Sequence, residues 1–196
     1  MTRAEQAAAV LSAVLANPVN AVLLAGLSED VLPDWILTAG CICQSVWNAQ
    51  TNRDPLYGIH DYDVFYFDGT DLSYEAEDRA VRAALKAVGP IDDVDIQIRN
   101  QARVHFWYEA HFGTSYPVLR SARDGIDQFL TRSMAVGVRR TRTGATEIYA
   151  PDGLDDVLTM TIRPHVVVGR RALYEAKAES WLQRWPELTI LPWPAD

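Results

Sequence analysis

The hydrophobic positions along the chain follow two alternating periods, one typical of α-helices and one typical of β-strands. Apolar residues three and four apart, between polar caps and Gly or Pro stops, predict helices over residues 4–16, 19–27, 41–50, 73–88, 100–113, 121–130, 154–160 and 169–185. Short apolar or alternating runs predict strands over residues 35–38, 62–67, 93–99, 133–140 and 145–150, the last two forming a hairpin. Periodicity leaves a strand as the alternative for residues 102–108.

The order of these elements predicts an α/β or α+β fold with a mixed β-sheet core flanked by helices. The chain has 196 residues, 48% of them hydrophobic, which is enough for one sizeable core. We therefore predict a single domain over residues 1–196, with N-terminal helices and a C-terminal helix packed on the core. In that last helix, inward side chains are expected at Leu173, Ala176, Trp181 and Leu182. In the tail that follows, packing onto the body is expected from Trp185, Leu188, Ile190 and Trp193.

Composition and charge limit the cellular location and the binding partners that we expect for this protein. No apolar run approaches the ~18 residues that a membrane span needs, so no membrane contact is expected. The net charge of −8 argues against bulk DNA binding, because such binding depends on Lys and Arg side chains that neutralise phosphates. Cys41 and Cys43 are too close in sequence for an ordinary disulfide. Together with the lack of a signal-peptide pattern, this favours a reducing cytoplasm.

A pair of carboxylates on a predicted strand is the first candidate for chemistry. Asp61 and Asp63 stand two apart at the head of the apolar run 64–67, so both side chains point to the same face of the strand. Carboxylates held side by side repel each other unless a cation neutralises them. Mg²⁺ binds one or two carboxylates together with substrate phosphates, so the pair predicts a Mg²⁺ (or Mn²⁺) site. A solvated strand start with two unremarkable Asp residues is the alternative.

Two neighbouring segments add to this candidate site. Gly40 follows a strand and opens a helix, where free amides and the helix dipole favour a phosphate. Cys41 and Gln44 lie on the first turns of that helix, where they are expected to contact the phosphates or the rest of a bound nucleotide. The next predicted strand presents Asp95 and Gln97 on its polar face. A contact to phosphate, a helix cap or a surface ion pair is expected from Arg99, Asn100 and Arg103.

Metal-dependent nucleotidyl transfer requires this combination of groups. Two or three carboxylates hold metal ions about 3.5–4 Å apart, and the helix start binds the phosphates of a nucleoside triphosphate. We therefore predict catalytic and metal-binding roles for Asp61, Asp63 and Asp95. Local basic clusters that could meet a polyphosphate are Arg139, Arg140 and Arg142; Arg99 and Arg103; and Arg163, Arg170 and Arg171.

Several ordered segments also resemble a known family. They are AGCICQSVWN at 39–48, GIHDYDVFYFDGTDLS at 58–73, RNQARVHFWYE at 99–109 and IYAPDGLDD at 148–156, with RPH at 163–165 and the WPEL tail. In these segments, which cover most of the chain, the protein resembles small bacterial nucleotidyltransferase-like proteins of the polymerase-β-type superfamily. The resemblance implies a nucleotidyltransferase core.

The resemblance also implies roles for individual residues. Gly40 matches the glycine of the superfamily's short glycine motif, and Cys41 stands where that motif usually has Gly or Ser. Asp61 and Asp63 match the paired metal carboxylates. A third acid is expected in register with Gln97, whose amide carries no charge to hold a second metal. Asp95, on the same face two residues earlier, is the candidate substitute.

The predicted function is transfer of NMP from an NTP to an acceptor that the sequence does not name, whether a small molecule, a protein hydroxyl or an RNA end. One alternative is a catalytically degenerate relative that binds a nucleotide or a protein partner without turnover, and Gln97 is its main support. A second alternative is a glycosyltransferase that binds a sugar nucleotide through Asp-x-Asp. Those enzymes place the motif after a nucleotide-binding half of roughly a hundred residues, whereas it lies much nearer the start of this chain.

Overall fold

The computed structural model describes residues 1–166 and 170–194. Within these ranges the helices are α1 (Arg3–Ala16), α2 (Pro18–Gly26), α3 (Gly40–Gln50), α4 (Tyr74–Val88), α5 (Val104–Phe112), α6 (Ala122–Ile126), α7 (Asp155–Leu158) and α8 (Arg171–Arg184). The strands are β1 (Ile36–Thr38), β2 (Asp61–Tyr66), β3 (Asp95–Asn100), β4 (Gly137–Arg140), β5 (Thr146–Tyr149), β6 (Thr161–Ile162) and β7 (Thr189–Ile190).

Every predicted helix and strand occurs, most of them with shorter ends. A 3₁₀ turn at Gln101–Arg103 leads directly into α5, so the strand alternative for residues 102–108 is wrong. The predicted start of the last helix, residue 169, lies outside the described residues. The prediction of one domain over residues 1–196 also extends beyond them and stays a prediction.

A five-stranded sheet in the order β3-β2-β1-β4-β5 forms the centre of the fold. β2 and β3 are parallel, and the other neighbouring strands in this sheet are antiparallel. The parallel pair requires a crossover connection, which α4 provides. β6 and β7 form a separate parallel pair. The mixed sheet with flanking helices confirms the predicted fold class.

The register of the parallel pair places the acidic positions together on one face. Asp61 lies beside Asp95, and Asp63 lies beside Gln97. Because side chains alternate along a strand, the intervening residues of β2 point the other way. They are buried in the main hydrophobic core, and they are Tyr62, Val64 and Tyr66. One face of the sheet therefore stabilises the fold while the other is open to a ligand.

Asn17 separates the two N-terminal helices. Its side-chain Oδ1 accepts hydrogen bonds from the backbone amides of Val19 and Asn20, at 2.9 and 3.1 Å, which caps α2. Pro18 at the first helical position suits this start because it needs no hydrogen-bond partner there. Among the described residues no single helix is long and apolar enough to cross a membrane. Taken together, α1 and α2 pass that test only as a pair bent by 100°.

A cluster of three tryptophans joins α8 to α3. The ring of Trp47 lies 5.5 Å from that of Trp181 and 5.4 Å from that of Trp185, both in edge-on contact. All three side chains are buried. The indole nitrogen of Trp185 donates a hydrogen bond of 2.8 Å to Oδ1 of Asn48. Trp47 is therefore part of the core.

The predicted inward face of α8 needs correction. Leu173 is 45% exposed and Leu182 is 40% exposed, and Ala176 is exposed as well. The residues of α8 that are buried are Tyr174, Ala178 and Trp181. The helix packs through this narrow stripe, and the neighbouring stripe with Leu173 and Ala176 lines an open cleft. The tail packs as predicted, and it contributes Trp185, Leu188, Ile190 and Trp193 to the core.

Candidate active site

A cleft of about 690 Å³ lies over the open face of β2 and β3, bounded by α5 and α8. Its acidic side chains are Asp61 and Asp63. Its basic side chains are Arg99, Arg170, Lys177 and Arg184. Its aromatic side chains are Phe65, Trp107, Tyr108, Phe112, Tyr116, Phe129 and Trp181. The cleft thus has a charged end at the strands and an aromatic end beside α5.

Antiparallel pairing with β1 places Asp63 at the start of α3. Asp63 is the register partner of Thr38, the last residue of β1, and Ala39 and Gly40 follow directly. The hydroxyl of Thr38 donates a 2.8 Å hydrogen bond to the carbonyl of Val136 in the segment before β4, which fixes this strand end. The carboxylate and the amide-rich helix start therefore meet at one edge of the cleft, as metal and phosphate binding would require.

Asp63 is a half-buried carboxylate beside a like charge. Burial, and then the negative charge of Asp61, raise the pKa of Asp63 to about 7, although Lys177 and Arg99 act in the opposite direction. A carboxylate pair with this property is short of positive charge, because each ionised group disfavours the other. A divalent cation would remove that deficit, and oxygen ligands are the donor set that Mg²⁺ and Mn²⁺ prefer.

Asp95 is not brought into the cleft. Its side chain is exposed, and it lines a second hollow between α4 and β3. The amide of Gln97 donates a 2.8 Å hydrogen bond to Oδ2 of Asp95. Among the described residues, no three His, Cys, Asp or Glu side chains are grouped so that they could hold a metal ion. The placement of Asp95 therefore lends no support to a three-carboxylate site, and the residues at hand fit one divalent cation at Asp61 and Asp63.

The junction between β1 and α3 is strained at Ala39. This residue has φ 65° and ψ −140°, a conformation that glycine adopts readily and a side chain resists. Ala39 lines the cleft. Such strain, of about 1–3 kcal/mol, is found where a backbone is held in place for function. The sequence drew attention to Gly40, but the unusual backbone belongs to its neighbour.

Gly40 and Gln44 pack against each other in the first turn of α3. A Cβ atom at Gly40 would lie 2.8 Å from the side-chain nitrogen of Gln44. Gln44 is 5% exposed, and its Oε1 has no hydrogen-bond partner among the described residues. A side chain at residue 40 would therefore require the end of the Gln44 side chain to move. The predicted contact of Gln44 with a nucleotide is not supported by this placement.

Cys41 points into the protein. Its side chain is fully buried, and its thiol donates a 3.1 Å hydrogen bond to the carbonyl of Thr38. Burial raises the pKa of the Cys41 thiol well above its usual range, so the thiol stays neutral. The predicted phosphate contact therefore does not come from its side chain, and only the backbone amides at this helix start are suited to it. Cys41 and Cys43 are both free thiols.

Asn100 and Arg103 hold the loop after β2 and are not part of the cleft. Oδ1 of Asn100 accepts hydrogen bonds of 3.1 Å from the amides of Asp68 and Ala102, and Nδ2 donates one of 2.9 Å to the carbonyl of Asp68. Arg103 forms a salt bridge with Glu77 and stacks on Tyr74. This placement lends no support to the predicted nucleotide-binding roles of the two residues, whereas the predicted cap by Asn100 is observed.

Helix α8 and the residue before it supply cations to the cleft, and most of these were not among the predicted site residues. Arg170, Lys177 and Arg184 are seven residues apart, which is about two helical turns, so they follow one stripe toward the cleft. Only Arg170 was included in a predicted basic cluster. Lys177 and Arg184 could have been identified from this spacing of seven residues on a helix whose neighbouring stripe is apolar.

These cations have no salt-bridge partner among the described residues. Within residues 1–166 and 170–194, no ion pair involves Arg99, Arg170, Lys177 or Arg184. Arg184 donates a 2.6 Å hydrogen bond to the carbonyl of Gly58, and its guanidinium lies over Trp185. In a chain with net charge −8, this concentration of unpaired positive charge in one cleft is suited to an anion.

The other predicted basic cluster has a structural role. Arg139 forms salt bridges with Glu29, Asp34 and Glu147, and Arg142 pairs with Glu29 and Asp30. Neither lines the cleft. His165 is likewise engaged, since its Nδ1 lies 3.1 Å from the carbonyl of Phe129. The positive charge relevant to a ligand is therefore that of β3 and α8.

Comparison with known proteins identifies the family and supports the fold. A solution NMR structure described as revealing a CCA-adding enzyme head domain has a TM-score of 0.69 to this chain at 26% sequence identity, covering 94% of this chain and 95% of that one. No curated protein sequence matches the chain at a significant level. A family profile described as nucleotidyltransferase matches residues 26–190, which include both aspartates and all of α8. The chain therefore belongs to the nucleotidyltransferase family.

Proposed function

We propose that the protein transfers a nucleoside monophosphate from a nucleoside triphosphate to an acceptor, with one Mg²⁺ or Mn²⁺ ion bound by Asp61 and Asp63. One observation carries the proposal: two carboxylates face unpaired cations across a single cleft. This is the charge distribution that a metal-bound triphosphate complements. A reducing, cytoplasmic location remains part of the proposal, and it is in keeping with two free, buried cysteines.

Each side chain has a definite task in the proposed reaction. Asp61 and Asp63 would hold the cation, and the chemistry that it would supply when bound is charge neutralisation at the α-phosphate and activation of the acceptor hydroxyl. Lys177 and Arg184 bind the outer phosphates and stabilise the negative charge that develops on pyrophosphate as it leaves. Arg99, on the neighbouring strand, adds a further positive charge at the same end of the cleft.

A catalytically degenerate nucleotide-binding protein is the second candidate, and Gln97 favours it. A neutral amide occupies the position beside Asp63 where the family resemblance leads us to expect a third acid. With two carboxylates the site is suited to one cation, and a second metal lacks a ligand. The family match gives no support to the glycosyltransferase alternative.

Two measurements test the proposal. Isothermal titration of each common NTP in the presence of Mg²⁺ or Mn²⁺ measures binding, and pyrophosphate release against small-molecule, protein and RNA acceptors measures turnover. We expect Asp61→Asn and Asp63→Asn to reduce pyrophosphate release by at least about 100-fold, because each removes a cation ligand. Asp92→Asn, at an exposed position outside the cleft, is the matched control and should leave release unchanged.

The Gln97→Glu variant separates the two candidates. If the wild-type chain binds an NTP without turnover on any acceptor, and Gln97→Glu introduces turnover, the protein is a catalytically degenerate nucleotide-binding protein. If the wild type releases pyrophosphate and both aspartate variants do not, the protein is a nucleotidyltransferase that uses this site. Pyrophosphate release that persists in both aspartate variants would contradict the assignment of this site.

A further inference from the structure

The end of the cleft away from the aspartates is lined by aromatic rings and one arginine. We call it the aromatic annex, and its residues are Trp107, Tyr108, Phe112, Tyr116, Arg170 and Leu173. The Tyr108 ring is stacked 4.3 Å from Tyr116 and lies 4.5 Å from Phe112. Tyr108 itself is 7% exposed, so it anchors the other rings to the body of the protein.

Apolar side chains of the annex are uncovered although they lie in a concave site. Trp107 is 43% exposed, Phe112 is 45% exposed, and Leu173 of α8 is 45% exposed. All three line the same cleft as Asp61 and Asp63. Apolar surface left open in a pocket typically marks a ligand site, because a ligand can remove that surface from water. Flat rings favour a flat ligand, since stacking requires a face.

Arg170 adds a positive charge to these rings. Its guanidinium lies 4.5 Å from the centre of the Tyr108 ring, which orients it. Across the part of the chain that the structure describes, the guanidinium of Arg170 forms neither an ion pair nor a hydrogen bond. It is half-buried, and burial lowers the pKa of its guanidinium. A partly desolvated guanidinium without a partner is a ready site for a phosphate or a carboxylate.

We propose that the aromatic annex binds the acceptor, and that the acceptor is a small molecule with a planar aromatic ring and a phosphate or carboxylate group. This inference rests on the proposed function, because it assigns the second substrate of the same cleft. The ring stacks on the exposed faces of Trp107 and Phe112, and the anionic group pairs with Arg170. An acceptor hydroxyl is thereby directed toward the charged end of the cleft.

The NTP and a nucleic acid fit the annex less well. The triphosphate already has Lys177, Arg184 and Arg99 at the charged end, and an NTP carries no second anionic group for Arg170. A long nucleic acid would have to approach a protein with a net charge of −8. A small anionic ring compound is attracted by the cations of the cleft and lies away from most of the negative charge on the rest of the protein. A small molecule therefore suits the annex better than a nucleic acid does.

Binding of 1-naphthyl phosphate tests the proposal. The Mg²⁺ complex of an ATP analogue with a methylene group between the α- and β-phosphorus atoms is present throughout, so that the charged end is occupied. Quenching of tryptophan fluorescence and isothermal titration measure the affinity. 1-Naphthol and inorganic phosphate serve as the ring-only and anion-only probes. We expect 1-naphthyl phosphate to bind at least about tenfold more tightly than either, because it uses both parts of the annex.

Three variants locate this binding. Arg170→Gln should weaken 1-naphthyl phosphate binding about tenfold and leave 1-naphthol binding unchanged, because only the charge-assisted contact is lost. Trp107→Ala should weaken the binding of both ring compounds. Arg171→Gln is the matched control and should change neither, since Arg171 pairs with Glu175 and does not line the cleft.

Several outcomes would overturn the inference. These are equal 1-naphthyl phosphate affinity in Arg170→Gln and Arg171→Gln, competition between this probe and the ATP analogue, and tighter Arg170-dependent binding of a short single-stranded RNA. Failure of the proposed function has a different signature. The ATP analogue would then not bind, while 1-naphthyl phosphate binding would still depend on Arg170 and Trp107.

Discussion

At the scale of single residues, Asp63 shows how a functional group can oppose stability. It sits half-buried next to Asp61, in a position where burial and repulsion raise its pKa to about 7. Without a bound cation, an uncharged side chain of the same shape would stabilise the folded chain more than the Asp63 carboxylate does. The pair is therefore better explained by ligand binding than by folding, in keeping with the usual trade-off between stability and activity.

Asp63→Asn should increase the free energy of unfolding in the absence of divalent cations, and increasingly so as the pH rises from about 4 to about 7. The pKa of Asp63 is about 7 in the folded chain and near 3.8 when unfolded, so the folded chain binds more protons in this window. The contribution of Asp63 to the free energy of unfolding of the wild type is thus fully present below about pH 4, and it is lost as the pH rises through about 7. The Asn variant does not titrate and keeps its stability.

Urea unfolding at a series of pH values, in the presence of EDTA, measures this difference. Asp95→Asn is the control, because that side chain is exposed and a comparable gain is not expected. Adding Mg²⁺ should stabilise the wild type and not Asp63→Asn, since cation binding to the folded state alone raises stability. A difference between wild type and Asp63→Asn that does not change with pH would show that Asp63 is not perturbed in this way.

At the scale of elements, two features place the candidate site: the junction between β1 and α3, and the cleft-facing stripe of α8. The junction turns the chain sharply at Ala39, so that the helix start and Asp63 lie at the same edge of the cleft. The stripe brings Lys177 and Arg184 to that end from the far end of the sequence.

Ala39→Gly should stabilise the protein slightly, by less than about 1 kcal/mol. Relief of the strain at φ 65°, about 1–3 kcal/mol, is opposed by the extra flexibility of glycine in the unfolded chain, about 0.5–1 kcal/mol, and by the loss of the buried Ala39 methyl group, about 0.8 kcal/mol. The same substitution at Ala83, an exposed position within α4, should destabilise the protein by about 1 kcal/mol. Equilibrium unfolding in urea measures both values. Effects of the same sign at residues 39 and 83 would contradict the argument.

Lys177→Gln should weaken Mg²⁺–NTP binding by about tenfold, because a charge-assisted contact to phosphate is lost. Arg171→Gln, on the same helix but paired with Glu175, should leave the affinity unchanged. Isothermal titration at a fixed ionic strength measures both variants. Equal affinity for wild type and Lys177→Gln would remove α8 from the triphosphate site.

At the scale of the whole molecule, the tryptophan cluster determines where α8 lies. Trp181 and Trp185 pack against Trp47 of α3, and Arg184 between them reaches the segment before β2 through the carbonyl of Gly58. Gly58 has φ 69°, and a Cβ atom there would approach the Trp185 ring to 2.8 Å. The helix that supplies the cleft's cations is thus fixed by the core beneath it.

Trp185→Ala should destabilise the protein by about 3–5 kcal/mol, because a large, fully buried side chain leaves a cavity. Trp185→Phe should cost less, since it keeps part of the packing but leaves Oδ1 of Asn48 without its hydrogen bond. Urea unfolding followed by circular dichroism measures both. In Trp185→Ala that remains folded, NTP affinity should also fall, because α8 is no longer held in place. A loss of less than about 1 kcal/mol in Trp185→Ala would refute this role.

The sequence predicted local structure well and side-chain neighbourhoods unevenly. Asp61 and Asp63 were predicted on one strand face because a strand alternates its side chains, and the structure has them there. Asn100 and Arg103 were misplaced because nearness in sequence to a strand end does not say which way a side chain turns. The roles of Leu173 and Ala176 were misjudged because an apolar stripe that lines a cleft has the same spacing as one that fills a core.

The sequence by itself determined the order of helices and strands, the mixed sheet and the paired carboxylates, because these depend on spacing along a continuous segment. Only the tertiary structure decided that Asp95 stays outside the cleft, that Ala39 carries the strained backbone, and that Lys177 and Arg184 face the aspartates across it. Those facts depend on how α8 and β2 pack, and residues more than a hundred positions apart carry no local signal of their contact. The candidate site thus combines a strand motif that the sequence shows with cations that only the packing of α8 brings to it.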